Sequence, residues 1–473
     1  MGARPKPKTR WRKRKPGTPR RVPRPKPKSK TIEYILNDMS TPDLVASIEA
    51  PQAPATPKYT VQHYAGGGYR RASKEALAAN CHVTVANVLN LYQRWGVKAN
   101  RWAGTTNLQL MPKAGQDLNA YYDRRKLCFF YYGHKRLNGT VFTAESSDIV
   151  AHELGHALLD TYRPDTWSAA SLEVWSFHEA FADLTAVLNI MSYEVVLKKA
   201  IAQTGGNLRK PNVISNLAEQ VGNAIFKFSP KNSGRSSNCL RSAVNNFNYV
   251  NPGSLPKNAP HNKLAAECHS FGRVFLGAYY DIMVGIYEKH VSEGMNPLKA
   301  LKRARVSLGK RALQAVLHAG LNVRFYESMA KTMLWADKNH FAGAYQDIMH
   351  KVFVDRKLIQ PQQFRILSAP PCDNEDGVVK TEGKLSIRLS DHVMRAQSNS
   401  NPLYDVELEI PHEQLYLYDN DKNIMDAVVV TNDEALAAAQ DMVHYLHVAN
   451  KVGDGPDTPF EVKDGKLVRT HFS

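Results

Sequence analysis

Three residues in the stretch SDIVAHELGHALLD, positions 147–160, could bind and use a metal ion. His152 and His156 are four positions apart, so on an α-helix their imidazoles project from the same side, about 5 to 6 Å apart. Two imidazoles at that separation can chelate one zinc ion. Glu153 also lies toward that side, where it can reach a water on the metal without taking a coordination position. The spacing therefore predicts a zinc-binding helix with a carboxylate placed for proton transfer.

A catalytic zinc ion needs a third protein ligand and one open position. The stretch SFHEAFAD, positions 176–183, offers the carboxylate of Glu179, and Asp183 follows one helical turn later. From there Asp183 could accept the free ring N–H of a ligand histidine, which would fix its tautomer. An ordinary amphipathic helix is the alternative interpretation. The capping-type start at Ser147-Asp148, the strand-like segment before it and the Glu179/Asp183 pair favour a metal site.

The length and charge of the chain indicate a large folded part with a basic arm. The 473 residues suffice for two or three domains, and 43 % of them are hydrophobic. Residues 1–30 contain fourteen Lys and Arg residues and no Asp or Glu. Of the total net charge of +18, residues 31–473 therefore carry only +4. Seven prolines and this self-repulsion predict a disordered arm. The arm could bind a polyanion, either nucleic acid or an anionic surface, or could be a solvated tail; both interpretations stay open.

Other features of the composition concern the compartment. The five cysteines have no C-x-x-C spacing, which is typical of a reducing environment. We find no signal-peptide core after the basic start and no run of eighteen apolar residues, so we expect no transmembrane segment and a cytoplasmic location.

The patterns along the chain predict an α+β protein with four parts. Residues 1–58 are expected to be a disordered tail and linker, in which an apolar segment at 31–48 could be a docking helix. Residues 59–200 combine helical periodicity with short strands, and residues 201–360 are mainly helical after an irregular stretch at 203–265. Alternating apolar residues after Pro361, followed by a helix to Leu446, predict a small α+β domain at 361–473 with no recognisable chemistry.

Four blocks, taken together, resemble the thermolysin-like zinc metallopeptidases, the gluzincins, over roughly residues 90–360. They are the N-A-Y-Y of 119–122, the zinc-helix block of 148–160, the H-E-A-x-x-D of 178–183, and the L-R-S of 240–242 followed by His269. The resemblance implies a two-lobed fold with one zinc ion per chain on His152, His156 and Glu179. Its zinc helix would lie at the floor of a cleft between a mixed β/α lobe and a helical lobe.

The same resemblance implies roles for further residues. Arg241 would hold a substrate carbonyl, and His269 would donate to the developing oxyanion, where one fixed donor is commonly worth about 3 to 4 kcal/mol. A peptide would add as an antiparallel strand beside Asn119, Ala120 and Tyr121. No tyrosine falls where the family has a second oxyanion donor, and the acidic cluster that would bind calcium is not evident.

These observations predict a zinc endopeptidase in which a metal-activated water attacks a peptide bond with Glu153 as general base. A zinc aminopeptidase shares H-E-x-x-H and a distant glutamate, but its G-x-M-E-N motif does not occur here. A catalytically latent protein that binds polyanions through its arm is the third alternative. Intact Glu153 and His269 argue against it, because a scaffold has no physical need for either residue.

Overall fold

The protein is a mixed α+β structure. The computed structural model describes residues 31–38, 40–41, 43–64, 72–137, 139–228, 239–359, 369–381, 383–392, 401–453, 455 and 458–472. The basic arm at 1–30 lies outside these residues, so its binding of a polyanion stays a prediction. In the described part the α-helices are α1 Lys74–Arg94, α2 Ser147–Tyr162, α3 Leu172–Ile190, α4 Glu194–Thr204, α5 Glu219–Phe228, α6 Cys268–Ser292, α7 Pro297–His318, α8 Phe325–Phe341, α9 Gln346–Asp355 and α10 Asn432–Val448.

The strands are short and form several small sheets. Their bounds are β1 Thr31–Ile35, β2 Val45–Glu49, β3 Tyr59–Val61, β4 Leu108–Met111, β5 Ala120–Tyr122, β6 Lys126–Phe129, β7 Tyr131–Gly133, β8 Thr140–Phe142, β9 Asn216–Leu217, β10 Arg241–Ser242, β11 Val378–Thr381, β12 Lys384–Arg388, β13 Glu407–Pro411, β14 Gln414–Tyr418, β15 Ile424–Val428, β16 Phe460–Lys463 and β17 Lys466–Arg469.

The first described segment is a β-hairpin. Strands β1 and β2 pair antiparallel, with Ile32 opposite Ile48, and Ile32 and Tyr34 are buried in the main core. The Tyr34 hydroxyl lies 2.9 Å from Thr84 Oγ1 of α1. The predictions of a docking helix at 31–48 and of a disordered linker up to residue 58 were therefore wrong. In TIEYI the buried side chains alternate with exposed Glu33, which is the period of a strand and not of a helix.

Strand β5 lies at the edge of a four-stranded sheet with the order β3-β4-β6-β5. The first three strands are parallel, and β5 runs antiparallel to β6 with Ala120 opposite Phe129. Strand β5 has a sheet neighbour on one side only; on its outer edge Tyr122 forms a bridge with Phe472, and the Ala120 amide donates to Asn119 Oδ1 at 2.8 Å. The sheet thus presents the N-A-Y-Y segment as the sequence predicted, at an edge.

Helices α2 and α3 approach each other closely because a glycine lies between them. A Cβ on Gly155 would lie 2.6 Å from the Cα of Ala182, so no larger residue fits at the present separation. All residues of α3 are buried, and α6 packs on α3 at Gly272, whose Cβ would lie 2.8 Å from the Ser176 carbonyl. This packing of three helices forms the floor on which the predicted ligands lie.

Helix α5 falls within 203–265, a stretch for which the sequence predicted no regular element. Gly222 stands in the middle of this helix and lowers its intrinsic helix propensity. The structure needs glycine there because a Cβ would lie 2.3 Å from the backbone of Cys239 and Leu240. The close tertiary contact therefore requires glycine at position 222, although glycine is unfavourable inside a helix.

The C-terminal residues form two sheets and one helix, as their alternating pattern predicted. The sheets have the orders β11-β14-β15 and β12-β13-β17-β16, and α10 begins with a capping box of Thr431 and Glu434. Their apolar core also includes Trp175 of α3 and Trp335 of α8. The C-terminal part is therefore packed directly against the helix that carries Glu179.

No single helix in the described ranges is long and apolar enough to cross a membrane. The bent pair α3 and α4 passes the same test only when the two helices are taken together. All five cysteines are unpaired.

Glu173 gives a testable pH dependence of stability. It is buried near the start of α3 and accepts hydrogen bonds from the Tyr249 hydroxyl at 2.6 Å and the Tyr326 amide at 2.9 Å. Burial raises the pKa of Glu173 to about 7 from its ordinary value of 4.5, although these hydrogen bonds oppose the shift. The folded state therefore binds this proton more tightly than the unfolded state, and stability falls as the pH rises from about 4.5 to 7.

We expect Glu173→Gln to remove that loss, because the amide cannot ionise and can still pair with both tyrosines. The loss for the wild type is at most about 1.4 kcal/mol per pH unit over this window. The measurement is the free energy of unfolding in urea at pH 5, 6 and 7.5 for both proteins. A difference between the two proteins that stays constant with pH would contradict this assignment.

Candidate metal centre

Helices α2 and α3 bring three potential metal ligands together. His152 Nε2 and His156 Nε2 lie 3.2 Å apart, His152 Nε2 lies 3.4 Å from Glu179 Oε2, and His156 Nε2 lies 3.6 Å from Glu179 Oε1. A tetrahedral ion with bonds of about 2.0 to 2.1 Å separates its ligand atoms by about 3.3 to 3.4 Å. The three groups therefore already have the spacing that such an ion requires.

The surroundings of these groups also fit a bound cation. All three residues are buried, and Glu179 Oε2 forms no hydrogen bond among the described residues, although His152 Nε2 and His269 Nε2 each lie 3.4 Å from it. A buried carboxylate oxygen without a partner costs free energy unless a cation or water satisfies it. The donor set of two imidazoles and one carboxylate leaves a fourth tetrahedral position open. The geometry thus supports a metal site, and the choice of zinc among metals is taken up below.

Asp183 and Arg241 hold the first histidine in place. Asp183 Oδ1 lies 2.8 Å from His152 Nδ1, and the same carboxylate forms a bidentate pair with Arg241 through Nε at 2.8 Å and Nη2 at 2.8 Å. Because Nδ1 is bonded to a carboxylate, Nε2 is the nitrogen left for a metal. Arg241 reaches this place from β10, which pairs with β9. Its guanidinium is thus committed to Asp183 while it also lines the cleft.

The protonation of the ligands reflects these pairs. Burial would lower the pKa of His152, but Asp183 and Glu179 outweigh it and raise the pKa to about 9. Burial and then the positive charges of His152 and His269 lower the pKa of His156 well below its ordinary value. For Glu179 burial is opposed by His269, His152 and Arg241, which hold the pKa near 2. Because a metal needs neutral imidazole, binding an ion at neutral pH would release the proton of His152.

Glu153 differs from Glu179 although both carboxylates are buried. Burial raises the pKa of Glu153 to about 8, and the positive charges near it oppose the shift only in part. Its Oε2 has no hydrogen-bond partner in the described structure, and the residue lines the same cleft as His152. A bound divalent cation would favour the charged form and lower this pKa. The result is a carboxylate that can change protonation near neutral pH, as a general base must.

His269 lies opposite Glu179 at the start of α6. Its Nε2 is 3.4 Å from Glu179 Oε2, and its Nδ1 is 2.6 Å from Glu267 Oε1. The Glu267 carboxylate is also the N-cap of α6 and accepts hydrogen bonds from the backbone amides of His269 and Ser270. Burial lowers the pKa of His269, but Glu179, Cys268 and Glu267 outweigh it and raise the pKa well above the usual range. With Nδ1 held by Glu267, Nε2 is the ring nitrogen that faces Glu179 at the candidate metal site. A donor in this position can stabilise an oxyanion.

The predicted residues meet in one cleft of about 680 Å³. Its lining includes Asn119, Ala120, His152, Glu153, Asp183, Arg241 and His269, while His156 and Glu179 are buried beneath it. Tyr121 does not line the cleft: its ring lies 5.5 Å from that of His471 and 5.7 Å from that of Phe130. Side chains alternate along a strand, so neighbouring residues of β5 cannot all face the same way.

Some residues at the site were missed by the sequence analysis. The ring of Phe472 stacks on His156 at 4.8 Å and on His178 at 4.1 Å, and the guanidinium of Arg469 lies 3.8 Å above Phe472. Cys268 forms a second possible donor set with Glu179 and His269, but it is less buried than the first set. The histidine at position 178, where the resembling family has asparagine, was a signal that this side of the site is different. Nothing in the local pattern around Phe472 indicated its place.

Asp183→Asn tests whether the carboxylate on His152 matters for the metal. We expect the affinity for zinc to fall about 10- to 100-fold, because the amide is a weaker acceptor for the histidine N–H and leaves Arg241 without its counter-charge. The measurement is a competition titration of zinc against a chelating dye. Asp281→Asn is the matched control. Asp281 accepts a hydrogen bond from Arg356 Nε at 2.8 Å, and this pair does not contact the candidate ligands. An affinity within threefold of the wild type would contradict the role of Asp183.

Comparison with known proteins does not bear on this site. No family model matches the chain, and no curated protein is significantly similar to it. The functional argument therefore rests on the geometry and electrostatics of the cleft.

Proposed function

We propose that this protein is a zinc-dependent peptidase, a hydrolase with one zinc ion held by His152, His156 and Glu179. The observation that carries the proposal is that three ligand groups at tetrahedral spacing lie at or beneath one cleft, which is also lined by a buried carboxylate with an unpartnered oxygen and by a histidine. Zinc is favoured because two imidazoles and one carboxylate with an open position are a donor set typical of catalytic zinc.

A bound zinc ion would supply positive charge that lowers the pKa of a water molecule and polarises the substrate carbonyl. Glu153 takes the proton from the attacking water, because its Oε2 is unpartnered among the described residues and a bound cation would favour the charged form of this carboxylate. The same carboxyl group then delivers that proton to the amine that leaves. Asp183 keeps His152 in the tautomer that binds through Nε2.

His269 donates from Nε2 to the negative oxygen of the tetrahedral intermediate. Glu267 holds its ring through Nδ1, so the donor is oriented before the substrate arrives. Arg241 offers the rest of its guanidinium to a substrate carbonyl while Asp183 fixes its plane. The peptide itself adds to the edge of β5 at Ala120, which provides recognition that tolerates many side chains.

The architecture we propose is the two-lobed arrangement of the thermolysin-like peptidases. It is supported by the order of the elements: an edge strand precedes the zinc helix α2, the ligand helix α3 follows, and helices dominate from α6 to α9. The cleft between the β5 edge and the start of α6 would be the substrate cleft.

The test is hydrolysis of two peptide libraries by the zinc-loaded protein, one with both ends blocked and one with free amino ends. We expect cleavage that a chelator abolishes and that added zinc restores. Cuts within blocked peptides would indicate the endopeptidase predicted from the sequence. Hydrolysis of neither library, with one metal ion per chain measured, would contradict the proposal.

An aminopeptidase is the second candidate because of one structural observation. The residue Phe472 already pairs with Tyr122 on the outer edge of β5, where the amino side of a long substrate would lie.

A further inference from the structure

The C-terminal segment of the chain lies on the same strand edge that the proposed peptidase would use for its substrate. The Tyr122 amide donates to the Phe472 carbonyl at 2.9 Å, and the Phe472 amide donates to the Tyr122 carbonyl at 2.8 Å. The two residues form an antiparallel bridge. Phe472 therefore behaves as one residue of an additional strand beside β5.

The hydrogen-bond pattern of β5 shows that Ala120 uses the same edge. The Phe130 amide donates to the Asn119 carbonyl and the Asp123 amide to the Lys126 carbonyl, so residues 119, 121 and 123 turn their polar groups toward β6. By alternation, Ala120 and Tyr122 turn theirs to the outer edge. Ala120 lines the cleft together with His152 and Glu153, whereas Tyr122 is already paired. One line of hydrogen-bonding positions thus runs from Phe472 into the metal site.

The direction of Phe472 defines which part of a substrate it would displace. A peptide that pairs with Ala120 in the same antiparallel sense has its amino side toward Tyr122 and its carboxyl side toward Asn119. The peptide residue that precedes the one opposite Ala120 lies opposite Tyr121. The residue before that lies opposite Tyr122, in the position that Phe472 occupies. The amino side of the peptide therefore meets the protein's own chain after about two residues.

Phe472 is anchored too firmly to act as a displaceable plug. It is 2 % exposed, its ring is stacked on His178 and His156, and the Arg469 guanidinium lies 3.8 Å from the ring centre. The Arg469 carbonyl in turn accepts from the Trp167 indole at 3.3 Å. These contacts tie the segment to the helices that carry the metal ligands, so the blocked end is a built part of the site.

We propose that Phe472 closes the Tyr122 end of the substrate edge, so that the site accepts peptides with at most about two residues on the amino side of the bond that is cleaved. The inference rests on the proposed peptidase function and narrows its substrates to the amino-terminal ends of peptides. Phe472 acts here as a specificity-determining residue through its backbone, and its ring only holds that backbone in place.

The test uses binding and so does not depend on turnover. Peptides that end in a hydroxamate, with one, two or four residues before the chelating group, are titrated against the zinc-loaded full chain. We expect the compound with two residues to bind more tightly than the compound with one. The compound with four residues should bind at least about tenfold more weakly than the one with two, because its amino-side residues would collide with Phe472. A variant that ends at Arg469 is expected to bind the four-residue compound at least as tightly as the two-residue one.

His471→Ala is the matched control, since it shortens a side chain in the same segment and leaves both backbone hydrogen bonds of Phe472. It should keep the wild-type order of affinities. If truncation at Arg469 abolishes zinc binding, the wild-type series still decides. Equal or tighter binding of the four-residue compound to the wild type would reject the inference alone. Failure of all three compounds to bind a protein with one zinc per chain would reject the proposed function instead.

Discussion

Replacing Glu153 with glutamine is expected to lower kcat/KM for peptide hydrolysis by roughly 10² to 10⁴-fold. Glutamine fills the same volume but cannot take a proton from water or return it to the leaving amine. The carboxylate is buried, 3 % exposed, and its Oε2 has no hydrogen-bond partner among the described residues. The substitution therefore breaks no hydrogen bond formed by that oxygen, and the three ligand groups are unchanged.

The measurement is the initial rate of cleavage of one peptide from the libraries, together with zinc content and thermal unfolding. Glu173→Gln is the matched control, because it makes the same change at a buried glutamate of α3 that does not line the cleft. It should retain nearly full activity. A Glu153→Gln protein with one zinc per chain and activity within threefold of the wild type would show that another group is the base.

The candidate metal ligands on α2 could be predicted because their signal is local. The spacing of His152 and His156 needs only a helix, and the helix was indicated by its apolar face and its start at Ser147-Asp148. Glu179 was inferred from the need for a third ligand on a following helix, whereas His269 came from a resemblance in block order, since no local rule links residues so far apart. The structure places all four within one cluster, at ligand distances of 3.2 to 3.6 Å.

The strands near residue 31 illustrate a different limit. TIEYI is five residues long, and its alternation was obscured by the adjacent basic and proline-rich stretch. A short apolar run does not distinguish a strand from a helix by periodicity alone. What stabilises β1 is its pairing with β2 and the burial of Ile32 and Tyr34 against α1, which are tertiary contacts.

The position of Phe472 at this site could not be predicted from sequence patterns. Its contacts are a backbone bridge to Tyr122 and ring stacking on His156, and neither kind of contact has a sequence spacing of its own. The segment 361–473 was predicted as a domain without chemistry. The structure shows that its last described residue stacks on His156, a candidate ligand, so the two parts of the chain cannot be assigned separate roles.

The distance between α2 and α3 is the physical basis of the metal site, and Gly155→Ala tests it. Alanine is the better helix former by about 1 kcal/mol, but its Cβ would lie 2.6 Å from the Cα of Ala182 and 3.1 Å from Thr185 Oγ1. Backbone cannot move aside as a side chain can. The helices must therefore separate, which would widen the gap between His156 and Glu179 beyond the tetrahedral spacing.

We expect Gly155→Ala to weaken zinc binding by at least about tenfold and to lower the free energy of unfolding by about 1 to 3 kcal/mol, the usual cost of overpacking. Dye competition and urea unfolding measure the two effects. Gly383→Ala is the control, since a Cβ added there would meet no atom within 4 Å. Wild-type zinc affinity in Gly155→Ala would mean that the two helices can separate without disturbing the ligands, and that the glycine serves packing alone.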